Sequence, residues 1–333
     1  MENWTRPAWS RLTAQEKTRQ MELLCTRLPV GFEWIGLETF ERFGLSTKTG
    51  LFACEDTEFV FVPGDTVTLG WDAVPDTAEP LSGTHRQMLH LLRELGVPPE
   101  ETEARMRDWV SPVRRAEIRP MLVERRCVSA AWNEWPIGEL DPAEDADMLK
   151  AVEAFRQSPH SSLESDQEYL LEREHDSIRL YAFDDSEHFE EWSAGNIGAG
   201  LDLPSEDEWE YLYGSGSRTF FPWGDDIDPS MRLRHLPSAA SGAYDLERPN
   251  AYDLEQPNGF GLCFPGDPYK KELVRTAGGW TGKGGDGGSN VHGGFGPFAS
   301  YLPTGTFFRD PFEPELDWSE WLSSLVFRRI VRL

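Results

Sequence analysis

Cysteine is scarce: four in 333 residues, at Cys25, Cys54, Cys127 and Cys263. No two have C-x-x-C spacing and no Cys/His cluster has zinc-ligand spacing, so neither a dithiol redox motif nor a zinc module is expected. Free thiols in a reducing cytoplasm are the expectation. The chain also lacks a run of about 18 apolar residues able to span a bilayer. Its opening, Met1-Glu2-Asn3-Trp4-Thr5-Arg6-Pro7, lacks the basic and apolar regions of a secretory signal. Basic residues are few, 32 Lys and Arg against 58 Asp and Glu, for a net charge of -26. Such a chain repels nucleic acid and anionic membranes. Neither is expected as a partner, whereas a basic protein is. A solvated acidic surface is the plainer reading of the same charge.

What is present is aromatic and loop-forming. The chain has 13 Trp, 30 Gly and 24 Pro, with 39% hydrophobic residues, which suits a folded, loop-rich protein. Several tryptophans adjoin Pro or Gly, as in Pro222-Trp223-Gly224 and Gly279-Trp280. Such rings organise chain where regular elements are sparse. Residues 10–28 have helical periodicity, with Met21, Leu23, Leu24, Cys25 and Leu28 crowding one side. Thr13 and Glu16 stand at capping-box spacing. Strand-like segments follow at 32–35 and 51–53. From Glu58 to Gly70, apolar residues alternate on both sides of Pro63-Gly64, the pattern of a hairpin. Residues 84–110 read as two helices split at Pro98-Pro99. Ser129 is placed to cap a following helix. Residues 141–174 read as an acidic, helix-rich stretch. A direct repeat of eight residues, 243–250 and 251–258, is too short for a solenoid and reads as a surface loop that tolerates change.

Leu203-Pro204-Ser205-Glu206-Asp207-Glu208-Trp209-Glu210-Tyr211, followed by Phe221-Pro222-Trp223-Gly224-Asp225, resembles a known signature. It is the R-L-P-T-E-x-E-W-E-Y … F-P-W-G-N pattern of the formylglycine-generating enzyme (sulfatase-modifying factor) family. Shorter matches accompany it in the family's order: the 58–70 segment, 118–132, 184–194 (Asp184, His188, Phe189, Trp192) in the place of a family helix, Pro257-Asn258-Gly259-Phe260-Gly261-Leu262, and the closing 326–333. The resemblance covers about 58–333. It implies an α+β fold, irregular, loop-rich and C-type-lectin-like, with helical insertions near 72–116 and 136–180. An N-terminal extension, 1–57, of a helix plus short strands would precede it.

Enzymes of that family oxidise a substrate cysteine with copper held by two thiolates near the C-terminus. Soft sulfur ligands select Cu(I), and this chain has no cysteine after Cys263. The family's iron-dependent branch uses H-x3-H-x-E, whereas His85 and His90 are five apart and do not stack on one helix face. The glycine-rich run 278–296 lacks G-x-x-x-x-G-K-[ST] and reads as close backbone packing. Glu206, Glu208 and Glu210 read as acids favoured at a helix N-terminus, not as a catalytic carboxylate pair. By the resemblance, a substrate cleft would be lined by Trp280, His292, Phe295 and Arg309. The family's calcium loop corresponds to 266–273. Calcium needs several oxygen ligands, which Asn258, Asp267 and Glu272 would supply. The alternative is a calcium-free loop in which these groups cap turns. No cofactor is required, and calcium, where bound, would be structural.

The family's scaffold serves oxidative enzymes and also binding proteins, among them immunity proteins that neutralise bacterial toxins. Acidity, insertions and missing metal ligands on that scaffold imply a cytoplasmic, non-catalytic binding protein. It would be a pseudoenzyme of the immunity-protein kind, recognising a basic toxin or enzyme. The alternative is an oxidoreductase of the family with a rebuilt active site.

Overall fold

The computed structural model describes residues 4–74, 81–165, 167–174, 177–198, 200–227, 253–288, 296–311, 313 and 317–333. Its elements begin with α1 (Arg6–Arg11), α2 (Ala14–Cys25), β1 (Phe32–Arg42), β2 (Leu45–Cys54), β3 (Thr57–Val62) and β4 (Asp65–Leu69). Next come α3 (Gly83–Glu94), α4 (Thr102–Asp108), β5 (Arg114–Ile118), β6 (Met121–Glu124), β7 (Val128–Ser129) and β8 (Trp132–Glu134). Then follow α5 (Ala146–Gln157), β9 (Ser162–Ser165), β10 (Tyr169–Glu174), β11 (Ser177–Phe183), α6 (Phe189–Asn196) and α7 (Glu206–Tyr213). The last are β12 (Lys271–Thr276), β13 (Gly279–Lys283), α8 (Gly296–Tyr301), α9 (Trp318–Trp321), β14 (Leu325–Phe327) and β15 (Ile330–Arg332). The class is α+β. Two compact units form: Met1–Val128 with Ile197–Leu316 and Val326–Leu333, and Ser129–Asn196 with Asp317–Leu325.

The larger unit is built on an antiparallel sheet in the order β1-β2-β3-β6-β15. Val60 lies opposite Leu51 on one side and Val123 on the other. Successive strand residues point to opposite faces. Phe52, Phe59, Phe61, Leu122 and Val331 therefore pack with Trp9, Met21 and Leu24 from α1 and α2. Leu51, Val60, Val62, Met121, Val123 and Ile330 join the main core on the opposite face. Both faces are covered at β3 and β6, which is why Phe59–Val62 and Met121–Val123 are apolar without alternation. The helix α2 starts at its capping box: Thr13 Oγ1 accepts from the Glu16 N–H, and the Glu16 carboxylate accepts from the Thr13 N–H at 2.7 Å. Residues 10 and 11 end the separate turn α1 instead.

Two sequence expectations change here and a third holds. The short strand segments grow into β1 and β2, and β2 pairs with β3 from Cys54↔Thr57 to Leu51↔Val60. The expected 57/58 boundary thus falls inside a sheet. Next, β3 and β4 are not a hairpin. The strand β3 pairs with β2 and β6, while β4 pairs with β5, Asp65↔Ile118 to Leu69↔Arg114. Pro63-Gly64 is an anchored crossover between two sheets. The Pro63 carbonyl accepts from Tyr211 OH at 3.0 Å, the Gly64 N–H donates to the Trp4 carbonyl at 3.0 Å, and a Cβ at 64 would overlap the Ile118 carbonyl. Finally, the two helices either side of Pro98-Pro99 are present as α3 and α4. They lie between the paired strands β4 and β5, with Met88, Leu91, Leu92 and Met106 in the core.

The smaller unit is an antiparallel sheet, β8-β11-β10-β9. Leu171 and Leu180 pack on Val152 and Phe155 of α5 and on Leu140. The expected helix-rich stretch 141–174 is helical over 146–157 and then turns into β9 and β10. Ser129 caps no helix: its Oγ accepts the Ala131 N–H at 3.3 Å and the chain enters β8, where Trp132 pairs with Phe183. Cross-strand pairing overrides the local capping signal. Of the expected 184–194, only the part from Phe189 is helical, as α6, which runs on to Asn196 and buries Trp192, whose indole N–H donates to the Ala130 carbonyl at 2.9 Å. Among the described residues no helix is long and apolar enough to cross a membrane.

Candidate functional site

The signature block folds into α7, which is buried from Glu208 to Tyr213. Its start is fixed by a second capping box: the Glu208 carboxylate accepts from the Ser205 N–H at 2.7 Å, and Ser205 Oγ accepts from the Glu208 N–H at 3.2 Å. A buried helix with four carboxylates needs cations, because an unpaired buried charge is costly. Each acid has at least one, and Arg114 and Lys283 each serve two. Glu206 takes a fork from Arg309 and an ion pair from Lys283 at 3.3 Å. Asp207 accepts from Arg114 Nε at 2.7 Å. Glu208 takes both arms of Arg332, each at 2.7 Å. Glu210 is held by Arg114 at 3.0 Å and Lys283 at 3.3 Å. Burial alone would raise the Glu206 carboxyl, but Lys283, Arg309 and Arg114 outweigh it and hold the group at about 2. Glu210 is fully buried and Glu206 half-buried, and Lys283 bridges the two.

A second buried charge lies at Arg328, which is fully enclosed. Its guanidinium pairs with Glu272, donates to the carbonyls of Cys263 at 2.9 Å and Glu124 at 3.2 Å, and stacks on Phe264 at 4.1 Å. It also donates to Cys127 Sγ at 2.9 Å. Burial pushes the Cys127 thiol well up, and Arg328 opposes this without overcoming it. The sulfur therefore stays protonated near neutral pH. Cys127 and Cys263 both line a pocket of about 330 Å³, together with Arg126, Glu255, Phe264 and Asp267 among others.

The expected cleft divides. His292 and Phe295 lie outside the described residues. Trp280 sits on β13 opposite Arg275, and Arg309 is engaged by Glu206. Neither Trp280 nor Arg309 lines the 330 Å³ pocket. The proposed calcium ligands have protein partners. Asn258 Nδ2 donates to the carbonyls of Leu212 and Tyr213, and its Oδ1 accepts from the N–H groups of Phe260 and Leu262. Asp267 accepts from the Tyr269 N–H, and Glu272 is held by Arg328. For Asn258 and Asp267 this is the turn-capping alternative. Among the described residues no group of three or more His, Cys, Asp or Glu side chains is placed to hold a metal ion. Residues 243–252 of the direct repeat lie outside the described residues.

Sequence reasoning missed Arg328, Glu124, Lys271 and Lys283, all buried. The available signal was a charge set in an apolar strand, as in Val326-Phe327-Arg328-Arg329-Ile330-Val331; such a charge is buried only when paired. It also missed how unevenly the charge is divided. The smaller unit, under a quarter of the chain, holds 20 Asp and Glu against 4 Lys and Arg, a net of -16 out of -26. The larger unit holds 38 against 28, a net of -10. Acids of the smaller unit such as Glu139, Glu144, Asp147, Glu164 and Glu172 are exposed.

No family model matches the chain, and no curated protein matches it in sequence.

Proposed function

We propose that this chain is a non-catalytic binding protein that recognises and neutralises a basic protein, such as a toxin or enzyme. Its scaffold would be of the sulfatase-modifying-factor kind. The observation that carries the reading is the charge division. In the larger unit the buried acids of α7 are matched by lysines and arginines inside the fold, whereas the smaller unit concentrates -16 on a small sheet-and-helix body with exposed carboxylates. A field of one sign on a compact body speeds encounter with a partner of the opposite sign and disfavours acidic competitors. The same acidity keeps nucleic acid and anionic membranes out of the partner class.

The test is to recover the full chain from its source cells and identify a partner bound near one to one. Binding of the two purified proteins is then measured by calorimetry. The reading expects a basic partner and binding that weakens by about tenfold or more at roughly 1 M salt, where screening falls to about 3 Å. It also expects a comparable loss when Glu139, Glu144, Glu164 and Glu172 are changed together to Lys. A partner bound with equal affinity by the reversed variant would refute it.

A further inference from the structure

The sheet of the smaller unit packs on α5 with one face and leaves the other open. Its register sorts the two. Leu171 of β10 lies opposite Leu180 of β11, and both pack on Val152 and Phe155 of α5. The residues next to them in each strand therefore turn the other way. On that side Leu170 lies between Glu164 of β9 and Tyr181 of β11, and Tyr181 lies opposite Glu134 of β8. Two residues further along β10, Glu172 lies opposite Arg179. Glu134, Glu164, Glu172 and Arg179 are exposed, so the chain does not cover this side at those positions. Leu170 and Tyr181 are half-buried among them. Arg179 is 3.4 Å from Glu134, which takes that acid out of the count. The side chains of Glu164 and Glu172 have no hydrogen bond or ion pair among the described residues.

We infer that this open sheet face is the docking surface for the basic partner, which lays a segment rich in Lys or Arg across the strands. Its cations meet Glu164 and Glu172, and its aliphatic stems lie over Leu170 and Tyr181. The inference rests on the protein-binding reading and names the surface that reading leaves open. The row from Glu164 to Glu134 crosses four strands, about 14 Å at roughly 4.8 Å between neighbours, which is room for a peptide segment and not for a single ion. Long basic side chains bury their stems on apolar surface while their heads reach carboxylates, and a tyrosine ring attracts the same cations. Charge complementarity selects the class, because an acidic or neutral segment would cover Glu164 and Glu172 without pairing them. On α5 itself, acids are already paired: Asp147 with Lys150 at 2.7 Å and Glu153 with Arg156 at 2.6 Å.

The probe is octa-arginine, acetylated, amidated and dye-labelled, titrated into the full chain at about 0.15 M salt. Two double variants remove the same charge. One is Glu164→Gln with Glu172→Gln, on the open face. The other is Glu139→Gln with Glu144→Gln, exposed acids either side of Leu140, which packs with α5. The field of the whole chain falls equally in both, so only docking on the face separates them. The parent should bind saturably, with a loss of at least about fivefold in the face variant and less than about twofold in the other. All four positions are exposed, so both variants should melt with the parent, and a melting curve checks them. Two results would overturn the inference: no saturable binding by the parent at roughly 1 mM, or a face variant weakened no more than the other. The same variants are then compared on the basic partner recovered from the source cells. A loss confined to the Glu139 and Glu144 variant refutes this face and leaves the protein-binding reading standing, whereas recovery of no basic partner refutes that reading itself.

Discussion

Glu272→Gln isolates the value of one buried charge. The substitution keeps the shape of the side chain, so no cavity complicates the reading. In the native protein Arg328 is fully enclosed, and Glu272, only 1% exposed, takes two of its N–H groups. The other acceptors are two carbonyls and the Cys127 sulfur, all neutral. The amide accepts one N–H and turns its NH2 group toward another donor. At an effective dielectric of about 20, a unit pair at 4 Å is worth about 4 kcal/mol. Removal of one partner from buried pairs costs about 3–5 kcal/mol. With roughly 2–4 °C per kcal/mol for a unit of this size, melting should fall by about 6–20 °C. Urea unfolding followed by far-UV circular dichroism reads the free energy directly, and an unchanged slope confirms the same transition. In an Arg328→Met background the same change should be neutral or stabilising, because it then removes a lone buried carboxylate. A loss below about 1 kcal/mol from Glu272→Gln alone would show that Arg328 is not held by this charge.

Three further outcomes follow from α7 and the sheet crossovers. Glu206 titrates near 2 in the fold against an ordinary value of 4.5. Its contribution of about 3 kcal/mol is therefore complete above the ordinary value and lost as pH falls from about 4.5 through 2; urea midpoints between pH 7 and 3 should drop, and less steeply in Glu206→Gln. Ser205→Ala removes the hydroxyl that caps α7 and should cost about 1 kcal/mol by thermal melting, whereas Ser205→Asp should restore most of it. Gly70 has φ +79 and a Cβ there would overlap the Pro112 carbonyl, so Gly70→Ala should cost about 2 kcal/mol or more; an unchanged melting temperature would refute this.

Local chemistry carried the parts of the fold that could be read from the chain. The capping box of Thr13 with Glu16 starts α2 as its spacing predicts, because a cap is satisfied by residues three apart and needs nothing distant; Ser205 with Glu208 starts α7 in the same way, a box that sequence reasoning missed. The break between α3 and α4 lies at Pro98-Pro99 for the same reason, since proline removes the donor and bends the backbone. Ser129 carries an equally local signal and misled, because Trp132 and Asn133 found cross-strand partners in β11, some fifty residues away. The Pro63-Gly64 pair misled likewise, because Tyr211 and Trp4 hold it as a crossover.

The sequence by itself determined the class of the chain, its capped helices, its apolar core strands and its acidic net charge. These depend on composition and on neighbours within a turn or two. Which acids are neutralised, and by what, was decided only by tertiary structure. Glu206 meets Arg309 across 103 positions, and Glu124 meets Arg329 across 205. Such pairs are set by which strand ends converge on α7 and on β6, and no spacing along the chain records that. The pocket beside Arg328 has the same origin. Cys127, Cys263 and Arg328 are joined at one guanidinium because burying a charge required acceptors, and the fold brought them from three separate segments.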